Sequence, residues 1–314
     1  MLASGVWGVV ATPYDDSLAL DLSSLRRLVG HYASIGVSGL TVLGVFGEAA
    51  SLSRAERRRV LGAVADEVDL PLVVGLTSLA TAPAVEEVRA TQEAIGDRLT
   101  AVMVQVNSPV AAVVGEHLQA VVDETGAAVV IQDYPLASGV NIPGLALKQV
   151  AESVTGVAAI KAEAPPTPPG VAALSSVGVP VFGGLGGLGL LDELACGSAG
   201  AMTGFSYPEA LISCVAAFAE GGYPAAVQAF APYLPLVNFE QQAKIALAIR
   251  KECLRVRGLI DHAGVRPPAV GLPEALREQL LRHMAYAESL NDQQLRPQTA
   301  LGGAGQPSES PTWI

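Results

Sequence analysis

Two kinds of hydrophobic pattern alternate along the chain. Eight short apolar runs, most without strict apolar–polar alternation, are Val6–Ala11, Gly39–Gly44, Pro71–Gly75, Ala101–Val106, Ala128–Asp133, Val157–Lys161, Val179–Phe182 and Ala199–Met202. Continuous apolar runs of this length read as parallel strands covered on both faces. Between them apolar positions recur at helical spacing. Val60, Leu61, Val64 and Val68 follow Ser53-Arg-Ala-Glu56, a capping box in which serine and glutamate satisfy each other's free amides. Leu22, Leu25, Leu28, Val29 and Tyr32 follow Asp21, and Val85, Val88 and Ile95 follow Thr81. Gly36, Gly96, Gly126 and Gly156 stand where left-handed helix stops are expected.

Strand-like runs spaced by roughly 20–35 residues, most followed by a helix, predict a (β/α)8 TIM barrel; an open doubly wound sheet is the alternative the pattern leaves. Residues 1–206 carry the barrel pattern. From 207 to 290 no strand pattern appears, and helical segments run near 208–220, 223–236, 239–257 and 273–289, which predicts a C-terminal helical extension. Residues 291–314 are polar and rich in Gly, Pro, Gln and Ser, the composition of a disordered tail.

Composition narrows the function classes. The 314 residues are 50% hydrophobic and 16% charged, with a net charge of −11, which argues against nucleic acid or an anionic membrane surface as partner. An anionic small substrate stays compatible, because a site can be locally positive. Cys196, Cys214 and Cys253 form no CxxC pair and the four histidines form no HExxH motif, so neither a disulfide framework nor a metal site is expected. No basic-then-apolar leader and no apolar run of about 18 residues is evident, which makes a cytoplasmic protein the expectation.

The candidate chemistry sits at strand ends. Lys161, one of four lysines, closes the apolar run Gly156-Val-Ala-Ala-Ile-Lys161. Burial disfavours the charged form of an amine, and a neutral amine attacks carbonyl carbon; this reading is favoured over a lysine that simply snorkels to solvent. Glu163 lies two residues on, as a second functional group or a simple ion-pair partner. Tyr134 ends the fifth run, as a proton carrier or a core aromatic. Glu48 follows the second run, and capping the second helix or pairing with Arg57-Arg-Arg59 is favoured over a catalytic role. Gly184-Leu-Gly-Gly-Leu-Gly189 matches GxGxxG but lacks the acidic residue about 20 positions on that a dinucleotide site needs. A tight strand-to-helix turn is the better reading.

These residues together resemble the dihydrodipicolinate synthase and N-acetylneuraminate lyase family of class I aldolases. Gly44-Val-Phe-Gly-Glu48 sits where that family has a Gly-Thr-Thr-Gly-Glu-like loop, Tyr134-Pro135 where it has Tyr-Asn-x-Pro, and Lys161, 27 residues after Tyr134, where it has its Schiff-base lysine. Gly183-Gly184 and Gly200-Ala-Met-Thr203 match later barrel loops. The resemblance covers about residues 4–288 and implies a (β/α)8 barrel that assembles as a homo-oligomer, dimer or tetramer. It also implies a covalent imine between Lys161 and a 2-keto acid, with no other cofactor. Tyr134 and Glu163 would be catalytic, and Val45, Phe46, Gly47, Gly184 and Met202 would contact substrate, the first two through backbone amides.

Departures redirect the expected substrate. The glycine loop offers no hydroxyl, Tyr134-Pro-Leu-Ala-Ser-Gly139 contains no arginine, and Val106-Asn-Ser-Pro109 replaces a tyrosine pair. Ile131-Gln-Asp-Tyr-Pro135, Ile160-Lys-Ala-Glu163 and Gly200-Ala-Met-Thr-Gly204 are similar to 2-keto-3-deoxy sugar acid dehydratases. A dehydratase or pyruvate-type aldolase is therefore expected. 4-Hydroxy-tetrahydrodipicolinate synthesis and a non-catalytic keto-acid-binding member are the alternatives. An oxidoreductase built on the GxGxxG match is weaker still.

Overall fold

The computed structural model describes residues 1–295, with side chains through residue 290. Eight parallel strands close on themselves: β1 (Gly5–Val9), β2 (Gly39–Val42), β3 (Leu72–Gly75), β4 (Leu99–Gln105), β5 (Val129–Asp133), β6 (Val157–Ala162), β7 (Val181–Gly183) and β8 (Gly200–Thr203). The pairing of β8 with β1, Trp7 opposite Met202, sets aside the open-sheet alternative. The helices around the barrel are α1 (Leu22–Ser34), α2 (Arg54–Glu67), α3 (Thr81–Ile95), α4 (Ala111–Thr125), α5 (Pro135–Ser138), α6 (Gly144–Ser153), α7 (Thr167–Leu174), α8 (Leu190–Ala195) and α9 (Pro208–Phe230). Beyond them lie α10 (Leu234–Phe239), α11 (Ala246–Val256) and α12 (Arg277–Leu295).

The start signals act as expected at two of three helices. Asp21 accepts the Ser24 amide at 2.9 Å, and Ser53 and Glu56 form the reciprocal capping box. At α3 the cap position is Ala80 instead. The Thr81 hydroxyl lies 2.9 Å from Nδ1 of His117 and ties α3 to α4, so the residue that looked like a cap is a cross-link between helices. Gly96 and Gly126 stop α3 and α4 at positive φ.

Strands buried on both faces separate three apolar layers. Trp7, Met103, Phe182 and Met202 fill the barrel, and Gly39 gives the Trp7 ring its space: a Cβ there would lie 2.3 Å from the ring. A second layer packs the outer faces of β4–β6 against α3, α4, α6 and α7. The third joins β1 and β8 to the helices from α8 onward.

The expected boundary at 206/207 falls where α9 begins. α9 packs on β1 and α8 and so acts as the eighth helix of the barrel, leaving α10–α12 as the extension. Gly222, at φ +66, breaks α9 where two helices were expected. The continuous helix expected over 239–257 is instead interrupted. Residues 240–245 turn, with Lys244 at φ +70, before α11 begins. Pro208–Phe239 is long and apolar enough to cross a membrane by length and composition, contrary to the expectation of no such run. Here the Gly222 break interrupts it, and Leu211, Cys214 and Phe230 face the third apolar layer. Residues 291–295 continue α12, and the rest of the expected tail lies outside the described residues.

Candidate active site

The strand register places Gln132 of β5 beside Lys161 of β6 at the C-terminal end of the barrel. Lys161 Nζ stands 3.0 Å from Glu163 Oε2, and both residues are buried. Glu163 follows the strand, anchored by its amide on the Asp133 carbonyl at 2.8 Å. Its carboxylate also accepts from Gln132 Nε2 at 2.8 Å and from the Leu185 amide at 3.2 Å. These extra donors offset the desolvation that makes an isolated buried ion pair costly. Gly184 makes the arrangement sterically allowed, since a Cβ there would lie 2.2 Å from Glu163 Oε1. An amine held against a carboxylate in this way can exchange a proton without recruiting water.

The pair opens into a cavity of about 450 Å³ between the strand ends and the helical extension. Tyr134, at the start of α5, lines it; burial and then the Glu163 charge raise its phenol's pKa, against the opposing pull of Arg250. Thr203 lines it too and accepts the Gly186 amide at 2.7 Å. On the glycine loop, the Gly47 and Glu48 amides are closed onto the carbonyls of Gly44 and Val45. Among the described residues the Val45 and Phe46 amides make no such bond. The Phe46 ring is buried against Gly204, while the Val45 side chain is more than half exposed, so only the backbone of Val45 is placed for recognition.

Lys161, Glu163, Tyr134, Val45 and Phe46 thus come together. The other expected site residues take different places. Met202 is fully buried in the barrel core opposite Trp7, and its neighbour Thr203 reaches the cavity instead. Gly47 serves the turn: a Cβ would crowd the Val10 carbonyl at 3.1 Å, and its own carbonyl accepts the Thr12 hydroxyl at 2.6 Å. Gly184 makes room for Glu163. Glu48 neither joins the mouth nor caps α2 nor meets Arg57. It accepts from Lys251 at 2.6 Å and from the Arg266 amide at 2.8 Å, both in the C-terminal region. Arg57 turns to Glu87 and Thr77 instead.

The GxGxxG stretch is a tight turn whose glycines admit side chains of the protein itself. Gly186 lies against Gln241 and Arg250, and Gly189 against Glu193 and Thr167. Behind this turn sits a second acid. Burial raises the Glu193 pKa to about 7, with the Thr167 hydroxyl opposing and the charges of Glu163 and Asp192 adding. Burial, then Glu163, raises Asp133 to about 6. Among the described residues no group of three or more His, Cys, Asp or Glu side chains is placed to hold a metal ion.

Gln132, Thr203, Gln241 and Arg250 also line the cavity. Gln132 and Thr203 carry a local signal, their place at strand ends beside the recognised motifs. Gln241 and Arg250 carry none, because the fold brings them from the turn before α11 and from α11 itself, in a stretch that reads only as an Ala-rich helical segment.

A sequence profile of the dihydrodipicolinate synthetase family matches residues 2–287. The chain belongs to this family. It is 32% identical over 280 residues to a 4-hydroxy-tetrahydrodipicolinate synthase from Corynebacterium aurimucosum, covering 87% of this chain and 91% of that one. It is 29% identical over 293 residues to an L-2-keto-3-deoxyarabonate dehydratase from Azospirillum brasilense, covering 88% and 92%. The crystal structure of the dihydrodipicolinate synthase from Rhodopseudomonas palustris superposes with a TM-score of 0.84 at 26% identity, covering 90% of this chain and 97% of that one. As a member of the dihydrodipicolinate synthetase family, the chain has the closed barrel that the resemblance implied and the C-terminal helices that the sequence pattern predicted.

Proposed function

We propose that this protein is a class I lyase that forms an imine between Lys161 and a 2-keto acid. On this reading it acts on a 2-keto-3-deoxy acid, as a dehydratase or a pyruvate-type aldolase. The observation that carries the reading is the buried Lys161–Glu163 pair, 3.0 Å apart at the end of β6 in the cavity. Family membership supports a lyase, and a keto-deoxy sugar acid dehydratase stands among the relatives.

The chemistry runs through groups already described. Glu163 takes a proton from Lys161, and the free amine adds to C2 of the substrate. The C2 oxygen leaves as water, with Tyr134 carrying protons. The resulting iminium draws electrons from C3. Loss of a C3 proton then gives an enamine, which expels a C4 hydroxyl as water in a dehydratase. In an aldolase the iminium instead takes the electron pair of the C3–C4 bond: the C4 hydroxyl loses its proton, an aldehyde departs, and the enamine left behind gains a proton at C3 to become an imine. Water hydrolyses the remaining imine and returns the amine. The Val45 and Phe46 amides would hold the C1 carboxylate without a cation.

A second reading, 4-hydroxy-tetrahydrodipicolinate synthesis, is favoured by the 32% identical relative. Against it stand Val106-Asn107 after β4 and a segment after Tyr134 with no arginine. Cytoplasmic location and assembly as a dimer or tetramer belong to the same proposal; light scattering reads the assembly.

The test is reductive trapping. Borohydride with pyruvate should add the mass of the reduced keto acid at Lys161, located by peptide mass spectrometry, and Lys161→Ala should give no adduct. A folded wild-type protein that traps none of a panel of 2-keto acids would overturn imine chemistry. Product analysis then separates dehydration, cleavage and condensation.

A further inference from the structure

The helical extension contributes a cation to the cavity from outside the barrel. Arg250 of α11 lines it, with its side chain about one-eighth exposed (12%). Two contacts hold the guanidinium. Nε donates to Glu240 Oε2 at 3.1 Å, and Glu240 is fully buried. The Phe46 ring lies under the guanidinium carbon at 5.7 Å. Gly186, at φ +66, leaves the third side open: a Cβ there would stand 2.5 Å from Arg250 Nη2. The terminal nitrogens have no partner among the described residues.

Beside Lys161, the cations lining the cavity are Arg250 and Lys244. Gln241 Nε2 is committed to the Leu185 carbonyl at 2.6 Å, and the exposed Lys244 stands at the same mouth. Glu163, the nearest acid lining the cavity, is occupied by Lys161, Gln132 and the Leu185 amide. A carboxylate only accepts, and a guanidinium with free terminal nitrogens suits it in charge and fork geometry. Glu240 balances Arg250, so Lys244 leaves one positive charge at this mouth of a chain whose net charge is −11.

We infer that Arg250, with Lys244 at the rim, binds a second carboxylate at the end of the substrate remote from the keto group, so that the cavity selects 2-keto dicarboxylic acids. This rests on the imine reading, in which Lys161 takes C2 and the glycine-loop amides take the C1 carboxylate. Arg250 is then a specificity-determining residue supplied by α11, in a chain whose segment after Tyr134 contains no arginine.

The experiment compares two five-carbon acids that differ at the far end, 2-oxoglutarate and 2-oxopentanoate, with pyruvate as the check on imine formation. Borohydride trapping at Lys161 is titrated for each. The wild type should trap 2-oxoglutarate at a concentration lower by about 10- to 100-fold than 2-oxopentanoate, the range expected for a hydrogen-bonded charge contact. Arg250→Gln combined with Glu240→Gln, which avoids leaving a buried acid unpaired, should bring the ratio close to one. Arg250→Lys should restore part of it. Equal trapping of the two acids by the wild type overturns the inference even if no variant folds, and so does a preference that survives the double substitution. If pyruvate is trapped but the preference is absent, the inference alone falls. If no 2-keto acid is trapped, the imine reading falls and takes the inference with it.

Discussion

At the residue scale, Glu163 and Glu193 lie on opposite sides of one pair of glycines. A Cβ at Gly184 would strike Glu163, and one at Gly183 would strike Glu193. Glu193 is almost fully buried, accepts the Thr167 hydroxyl, and has one carboxyl oxygen without a partner among the described residues. Its pKa of about 7, raised from 4.5, gives a stability prediction whose sign is set by linkage. Between roughly pH 4.5 and 7 the unfolded chain releases a proton that the folded chain keeps, so stability falls as pH rises through this window. The full effect is on the order of 3 kcal/mol. Urea unfolding at pH 5 and pH 8 should show wild type losing more stability across the interval than Glu193→Gln, which keeps the shape without the ionisation. Equal losses would show that Glu193 is not the titrating group.

At the element scale, the β7–α8 turn supports the Glu163 carboxylate. Its Leu185 amide donates to Glu163, and Gly184 makes the space for it. Gly184→Ala should therefore push Glu163 off Lys161 while leaving the barrel folded. The expected result is a fall in turnover of about 10²-fold, the scale of a lost or misplaced acid–base group, with a thermal midpoint within a few degrees of wild type. Unchanged turnover would mean that the carboxylate position is not critical. This turn also shows where the sequence was legible. Buried strands and amphipathic helices are local patterns, so the barrel, Lys161 and Glu163 could be read from short stretches. The capping signals at Asp21 and Ser53 could be read in the same way. Thr81 misled because the same hydroxyl can cap a helix or bond a neighbour, and only packing against His117 decides between them. The GxGxxG glycines spoke of backbone freedom but not of which side chains would fill the space. Arg250, Gln241 and Lys251 were out of reach, because nothing near them in the chain indicates that α11 crosses the barrel mouth.

At the scale of the whole molecule, the extension and the glycine loop are joined through Glu48. Its backbone is left-handed, at φ +54, and both carboxylate oxygens are satisfied from the C-terminal region. Lys251, fully buried, also donates to the Gly264 carbonyl at 2.6 Å and lies 4.2 Å from the centre of the Tyr14 ring. Burial pushes the Lys251 amine's pKa down while Glu48 opposes it, so the pair is interdependent. Removing one member leaves a charge buried without its partner, which costs about 3–5 kcal/mol, whereas replacing both removes the charge along with the contact. Lys251→Met and Glu48→Gln should each destabilise, and the double variant should be more stable than the sum of the two predicts. The functional consequence follows from sequence position: Val45 and Phe46, the proposed carboxylate-binding residues, immediately precede the turn that Glu48 anchors. Each single variant should therefore raise the KM for a 2-keto acid more than it lowers kcat. A double-mutant cycle read by denaturant unfolding and by steady-state kinetics tests both statements. Additive stabilities would show that the ion pair carries no coupling, and an unchanged KM would show that the extension does not hold the loop in its binding shape.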